Sequence, residues 1–190
     1  MHKASFKEIM TISAERMRGL SGSIDVRTLW DWEFFRRTKA GKLVQRDEDH
    51  TPNVCTNEGI DSLLNVGFHG ATQIGTWYVA VFENDYTPLV TNTYAVPGYT
   101  ECEAYDEATR PAYNEAASSS KVMTNSANKA VFTFNNTKTI YGGSLLSNST
   151  KGDEAANGAV LFCSSKLSSS QSVIATDVLR ITISITGADV

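Results

Sequence analysis

The sequence predicts a mainly β protein, an antiparallel β-sandwich of jelly-roll type, with an N-terminal helix-plus-hairpin arm and one short helix packed on the sheet. Three observations predict it. Residues 177–186 alternate, with Leu179, Ile181, Ile183 and Ile185 to one side and Arg180, Thr182, Ser184 and Thr186 to the other, which is the period of a half-buried antiparallel strand. Further apolar or alternating runs are separated by connections rich in Ser, Asn and Gly, as in all-β folds. Helical spacing is confined to two short stretches, too little to cover both faces of a parallel sheet.

Residues 5–18 read as an amphipathic helix. Ser5 and Glu8 form a capping box, Phe6, Ile9, Met10 and Met17 share a side, and Gly19 suits the stop. Trp30, Trp32 and Phe34 then alternate with Asp31, Glu33 and Phe35, which is a strand period. Residues 39–42 read as a turn and residues 43–45 as a short return, so the pair forms a hairpin. The charged stretch 46–52 reads as a linker. Thr56 caps a second helix whose Ile60, Leu63, Leu64 and Phe68 make a stripe suited to lying on a sheet. Residues 76–82 are apolar on both faces and read as a central strand. Residues 84–98 and 104–130 read as largely loop. Strands resume at 130–135, 139–146, 159–164 and 177–186.

The 190 residues suit one domain with an arm: residues 1–52 as the arm and 53–190 as the β-sandwich domain. Net charge is −4, which gives no footing for direct nucleic-acid binding. Residues 1–50 hold ten Lys/Arg against eight Asp/Glu, and the rest seven against thirteen, so a weakly basic front meets an acidic body. No apolar run has the roughly 18 residues of a membrane span. The N-terminus has charges inside its apolar stretch and does not read as a signal peptide. Cys55, Cys102 and Cys163 are widely spaced and read as buried free thiols in a chain made in a reducing cytoplasm.

No catalytic pattern emerges. His2, His50 and His69 form no metal-ligand spacing, and no nucleophile elbow or phosphate loop is present. The expectation is therefore no enzyme, no metal and no cofactor. The acidic run Glu101 to Glu107 reads three ways: a Ca²⁺ loop, a structural pair in which Glu101 or Asp106 holds Arg110, or a solvated loop. Trp30, Trp32, Phe34 and Phe35, flanked by Arg36 and Arg37, read as interface anchors, with the protein's own core as the alternative.

Two stretches carry a family resemblance. One is Thr56 to Phe68 running into Thr76-Trp77-Tyr78-Val79-Ala80-Val81-Phe82. The other is Gly98-Tyr99-Thr100-Glu101, then Tyr105 and Thr109-Arg110-Pro111. Together they resemble small virion structural proteins of tailed bacteriophages, of the capsid cement or decoration type, over about residues 53–187. Where that pattern usually has Trp, this chain has Tyr99. The resemblance implies a jelly-roll fold and no catalytic residues. It implies binding to the major capsid protein of an HK97-like shell, on the capsid exterior, and self-association as a dimer or trimer. Tyr99, Glu101, Tyr105 and Arg110 are then expected to fix a long loop. Phe6, Met10, Trp30, Trp32, Phe34, Phe35, Arg36 and Arg37 are expected to contact the partner, so deletion of residues 1–50 should leave a folded domain that no longer binds. A tail or tail-fibre adaptor and a carbohydrate- or host-surface-binding module are the alternatives.

Overall fold

The computed structural model describes residues 24–155 and 158–189. The helix expected at 5–18, with Phe6 and Met10, lies outside them. Among the described residues the chain is mainly β, with two antiparallel five-stranded sheets and one short helix.

The first sheet is built around the two ends of the described chain. β1 (Ile24–Arg37) pairs with β10 (Val178–Asp189) along its length, from Ile24 opposite Asp189 to Phe35 opposite Val178. β2 (Leu43–Pro52) covers the other edge of β1. The two are joined by a tight turn in which Gly41 (φ 81°) donates its N–H to the Thr38 carbonyl at 2.8 Å. That positive φ is a conformation glycine adopts without a Cβ penalty. β6 (Val122–Thr124) and β7 (Ala130–Thr133) share the far edge of β10.

The described part of the expected arm, residues 24–52, is thus not an arm. Its hairpin is longer than the pattern suggested, and it forms the middle and one edge of a sheet. The stretch 46–52 is strand, not linker: it pairs with β1, and its polar side chains bond the second sheet. That sheet contains β9 (Leu161–Val173). Arg46 donates to the Ser172 carbonyl at 2.6 Å, and Asp49 accepts from the Ser168 N–H at 2.7 Å. An edge strand tolerates such charge, which also protects it from pairing with another chain.

The second sheet runs in the order β3 (Val54–Cys55), β9, β8 (Lys138–Leu146), β4 (Trp77–Phe82), β5 (Ala112–Tyr113). One apolar core draws on both sheets. Trp30, Trp32, Phe34, Leu179, Ile181 and Ile183 enter from the first, and Val79, Val81, Ile140, Leu145 and Cys163 from the second. Trp30 and Trp32 stack at 5.2 Å between ring centroids. Gly143 makes room for them: a Cβ there would meet the Ala80 carbonyl at 2.6 Å and the Trp32 ring at 3.0 Å. A hydrogen-bond chain crosses between the sheets, from Trp32 Nε1 to Thr51 Oγ1 (2.8 Å), then to Ser165 Oγ (2.6 Å). Buried polar atoms paired in this way avoid the cost of an unmet donor or acceptor.

The helix α1 (Asn57–Phe68) follows β3 directly. Thr56 caps it, accepting from the Gly59 N–H at 2.9 Å and donating to the Leu161 carbonyl.

Candidate interaction surface

α1 meets the second sheet through its first turn. Gly59 is buried there, and a Cβ on it would lie 2.4 Å from the Phe162 carbonyl oxygen. The helix backbone therefore touches the β9 backbone, which only a residue without a side chain permits. Glu58 completes the anchor by accepting from the Tyr94 N–H at 2.8 Å and the Leu161 N–H at 2.7 Å.

This attachment turns the apolar stripe away from the sheet. Leu63 and Leu64 are about half exposed, and Phe68 is 85% exposed. Of the stripe expected to lie on the sheet, Ile60 is half-buried and the other three residues form an apolar flank in solvent. A second flank of α1, with Asp61, Ser62 and Asn65, borders a cleft closed by Ile74 and Thr91. Exposed Leu89 and Val90 stand near the start of the helix, where the Asn57 N–H donates to the Val90 carbonyl at 2.8 Å. Three large apolar side chains left in water on one short helix suit a surface that binds something.

Part of the loop beside it, residues 83–111, lies over the outer face of the second sheet. Tyr94 packs there with Ala80, Leu146 and Leu161, and Tyr99 stacks on Phe82 at 4.9 Å. Arg110 pins the loop from beneath. Its guanidinium meets Glu101 through two bonds of 2.8 and 2.6 Å, with the two side chains 2% and 5% exposed. It also donates to Tyr94 Oη at 3.2 Å and to the carbonyls of Asn148 (3.0 Å) and Asp153 (3.1 Å). Against the opposing effect of burial, the hydrogen bonds and charge of Glu101, with a smaller part from Tyr94, hold Arg110 more firmly charged than usual. Tyr105 lies edge-on to Phe132 at 5.0 Å, with Lys151 Nζ 3.8 Å from its ring centre. Hydrogen bonds thus join Glu101, Arg110 and Tyr94, while Tyr99 packs on Phe82 and Tyr105 on Phe132.

The aromatic hairpin goes elsewhere. Trp30, Trp32 and Phe34 are at most 1% exposed, so as partner contacts they are corrected to core residues. The reason is register: their alternation faces them inward from a strand in the middle of the sheet. Phe35 points outward under Arg180, 4.7 Å from ring centre to guanidinium. Arg36 pairs with the buried Asp177 at 2.7 Å, and Arg37 donates to the Gly41 carbonyl at 2.9 Å. No family model matches the chain, and a search of curated proteins finds no match.

The remaining acidic residues of 101–107 do not converge. Glu107 accepts from the Thr133 N–H at 3.0 Å, while Glu103 sits beside Gly152. Among the described residues no group of three or more His, Cys, Asp or Glu is placed to hold a metal. Cys102 lies in the core, where burial pushes its thiol up to about 11, and His69 sits exposed at the end of α1. Sequence reasoning missed the exposed flank of α1. The signal that could have found it was Gly59, a helix-weakening residue in a first turn that marks a close backbone approach.

Proposed function

We propose that this chain is a non-enzymatic structural protein of a tailed-phage virion that binds and stabilises the capsid shell as a cement or decoration protein. The family resemblance motivates the reading. The observation that carries the binding half is the exposed flank Leu63, Leu64 and Phe68, held on a helix anchored at its other end. We further propose that the two sheets pack as a β-sandwich. The core they share supports this, and a jelly-roll path is the form the resemblance leads one to expect.

In this reading α1 lays its apolar flank against the major capsid protein on the shell exterior. Binding that occurs only to the assembled lattice stabilises that lattice by mass action. Leucine and phenylalanine side chains moved from water into a protein interface gain about 1.5–3 kcal/mol each, so three such anchors outweigh their own ordering cost. Dimer or trimer self-association would multiply that gain through avidity.

Binding to empty shells tests the proposal. Leu64→Asp with Phe68→Asp should weaken binding at least about tenfold, or about 1.4 kcal/mol, with no change in thermal midpoint. Unchanged affinity would sink the α1 surface. Counting copies per particle then tests the placement: a shell protein is present in hundreds, whereas a tail adaptor follows ring symmetry at about six to a few dozen.

A further inference from the structure

Cys55 and Cys163 stand directly opposite each other where β3 meets β9. The Thr56 N–H, one residue further on, donates to the Phe162 carbonyl at 3.0 Å. That bond makes 55/163 a non-hydrogen-bonded pair of the antiparallel ladder. Such pairs hold their Cα atoms about 4.5 Å apart, with both side chains on one face. A disulfide spans Cα separations of about 4.4–6.8 Å. The register therefore places two thiols, both free in this structure, at a separation a disulfide can bridge.

Their surroundings differ in a useful way. Cys163 is fully buried in the core. Cys55 is half-buried and opens onto a cleft of about 460 Å³ lined by Val26, Arg27, Pro52, Asn53 and Thr186. One sulfur can be reached from solvent and the other is sealed behind it. Two buried N–H donors, Trp30 Nε1 and Asn53 Nδ2, have no hydrogen-bond partner among the described residues. Asn53 bears on both sulfurs and Trp30 on Cys163, in the sense that favours thiolate, although burial outweighs them and raises both thiols.

We propose that Cys55 and Cys163 are a disulfide-forming pair, which closes across β3 and β9 when the chain meets a small-molecule disulfide such as oxidised glutathione. The Cys55 thiolate attacks one sulfur of the oxidant, breaking its S–S bond and releasing one thiolate. The Cys163 thiolate then attacks the Cys55 sulfur of the mixed disulfide and expels the second. Two protein thiols are oxidised, one small disulfide is reduced to two thiols, and the two protons lost by the protein end on those thiols. The new bond ties β3 to β9 two residues before α1 begins, so it clamps the base of the helix. This site stands independently of the virion reading.

The full-length protein is incubated with oxidised glutathione and then denatured for thiol titration and peptide mapping. The expected result is a fall from three titratable thiols to one, a mass lower by two hydrogen atoms, and a peptide linking Cys55 to Cys163. The thermal midpoint should rise relative to the reduced protein. Cys102→Ala should retain the link, and Cys55→Ser should abolish it. Three persisting thiols, a stable glutathione adduct on Cys55 that never resolves, or a link between two chains would each overturn the proposal. Because the wild-type protein supplies the primary readout, a Cys163 variant that fails to fold would not obscure the answer.

Discussion

At the scale of single residues, Arg110 bears the heaviest electrostatic demand. A buried ion pair is a weak source of net stability, yet removing one partner leaves an uncompensated charge, at about 3–5 kcal/mol. Glu101 also accepts from the Gly152 N–H at 2.9 Å, so its loss frees two elements together. Glu101→Gln should therefore lower the urea midpoint by an amount equivalent to about 3–5 kcal/mol, with an unchanged m value. The double variant Glu101→Met, Arg110→Met should cost less than the sum of the two single changes, since they share one network. A second residue-scale expectation concerns His50. Its Nδ1 lies 2.7 Å from Asp31 Oδ1, and this hydrogen bond raises its pKa above the ordinary 6.5. A folded-state value above the unfolded one contributes stability that is fully present below about 6.5 and fades as pH rises through the folded value. The pair is exposed, so the contribution is small. An NMR titration should place the His50 midpoint above that of the protein denatured in urea. Asp31→Asn should bring it down.

At the scale of elements, α1 depends on one missing side chain. Gly59→Ala would set a methyl group into the Phe162 backbone, which cannot yield as a flexible side chain can. Overpacking of this kind costs about 1–3 kcal/mol, more than the helix propensity gained from Ala at about 1 kcal/mol. The variant should be destabilised in urea, and amide exchange should speed up in α1 before it does in β10. The elements also separate what the sequence discloses from what it conceals. β10, β8 and β4 were legible because burial on one or both faces writes period two, or a continuous apolar run, into the residues themselves. Most of β2 was not: residues 43–45 read as strand, but beyond them an edge strand whose charges bond across to β9 looks like a linker. The far half of β9 was missed for a similar reason: Ser168, Ser169 and Ser170 are exposed, so no apolar period marks them. The Glu101–Arg110 pairing was among the readings open from the sequence, since opposite charges nine residues apart bracket a loop. The exposure of Leu63, Leu64 and Phe68 was not, because an apolar stripe shows that a helix has a binding face and not what lies against it.

At the scale of the whole molecule, the pairing of β1 with β10 decides where the chain can be cut. Removing residues 1–50 would take away β1 and nearly all of β2, uncover an entire edge of β10, and delete Trp30, Trp32 and Phe34 from the core. Losing a large buried aromatic side chain costs about 3–5 kcal/mol. Three such losses, about 9–15 kcal/mol together, are comparable with the roughly 5–15 kcal/mol that holds a whole domain together. This truncation should therefore aggregate or unfold, contrary to the folded, non-binding remnant expected when the hairpin is read as an arm. Cutting at residue 23 is different, because it removes no described strand and no described residue of the shared core. Residues 24–190 should express as a folded protein, with the far-UV dichroism of a β protein and a cooperative thermal transition. The same truncation separates two sources of shell binding. If residues 24–190 still bind empty shells and Leu64→Asp with Phe68→Asp abolishes that binding, the contact belongs to α1. If the truncation alone abolishes it while the fold survives, the first 23 residues carry it, and the exposed flank of α1 must serve some other surface.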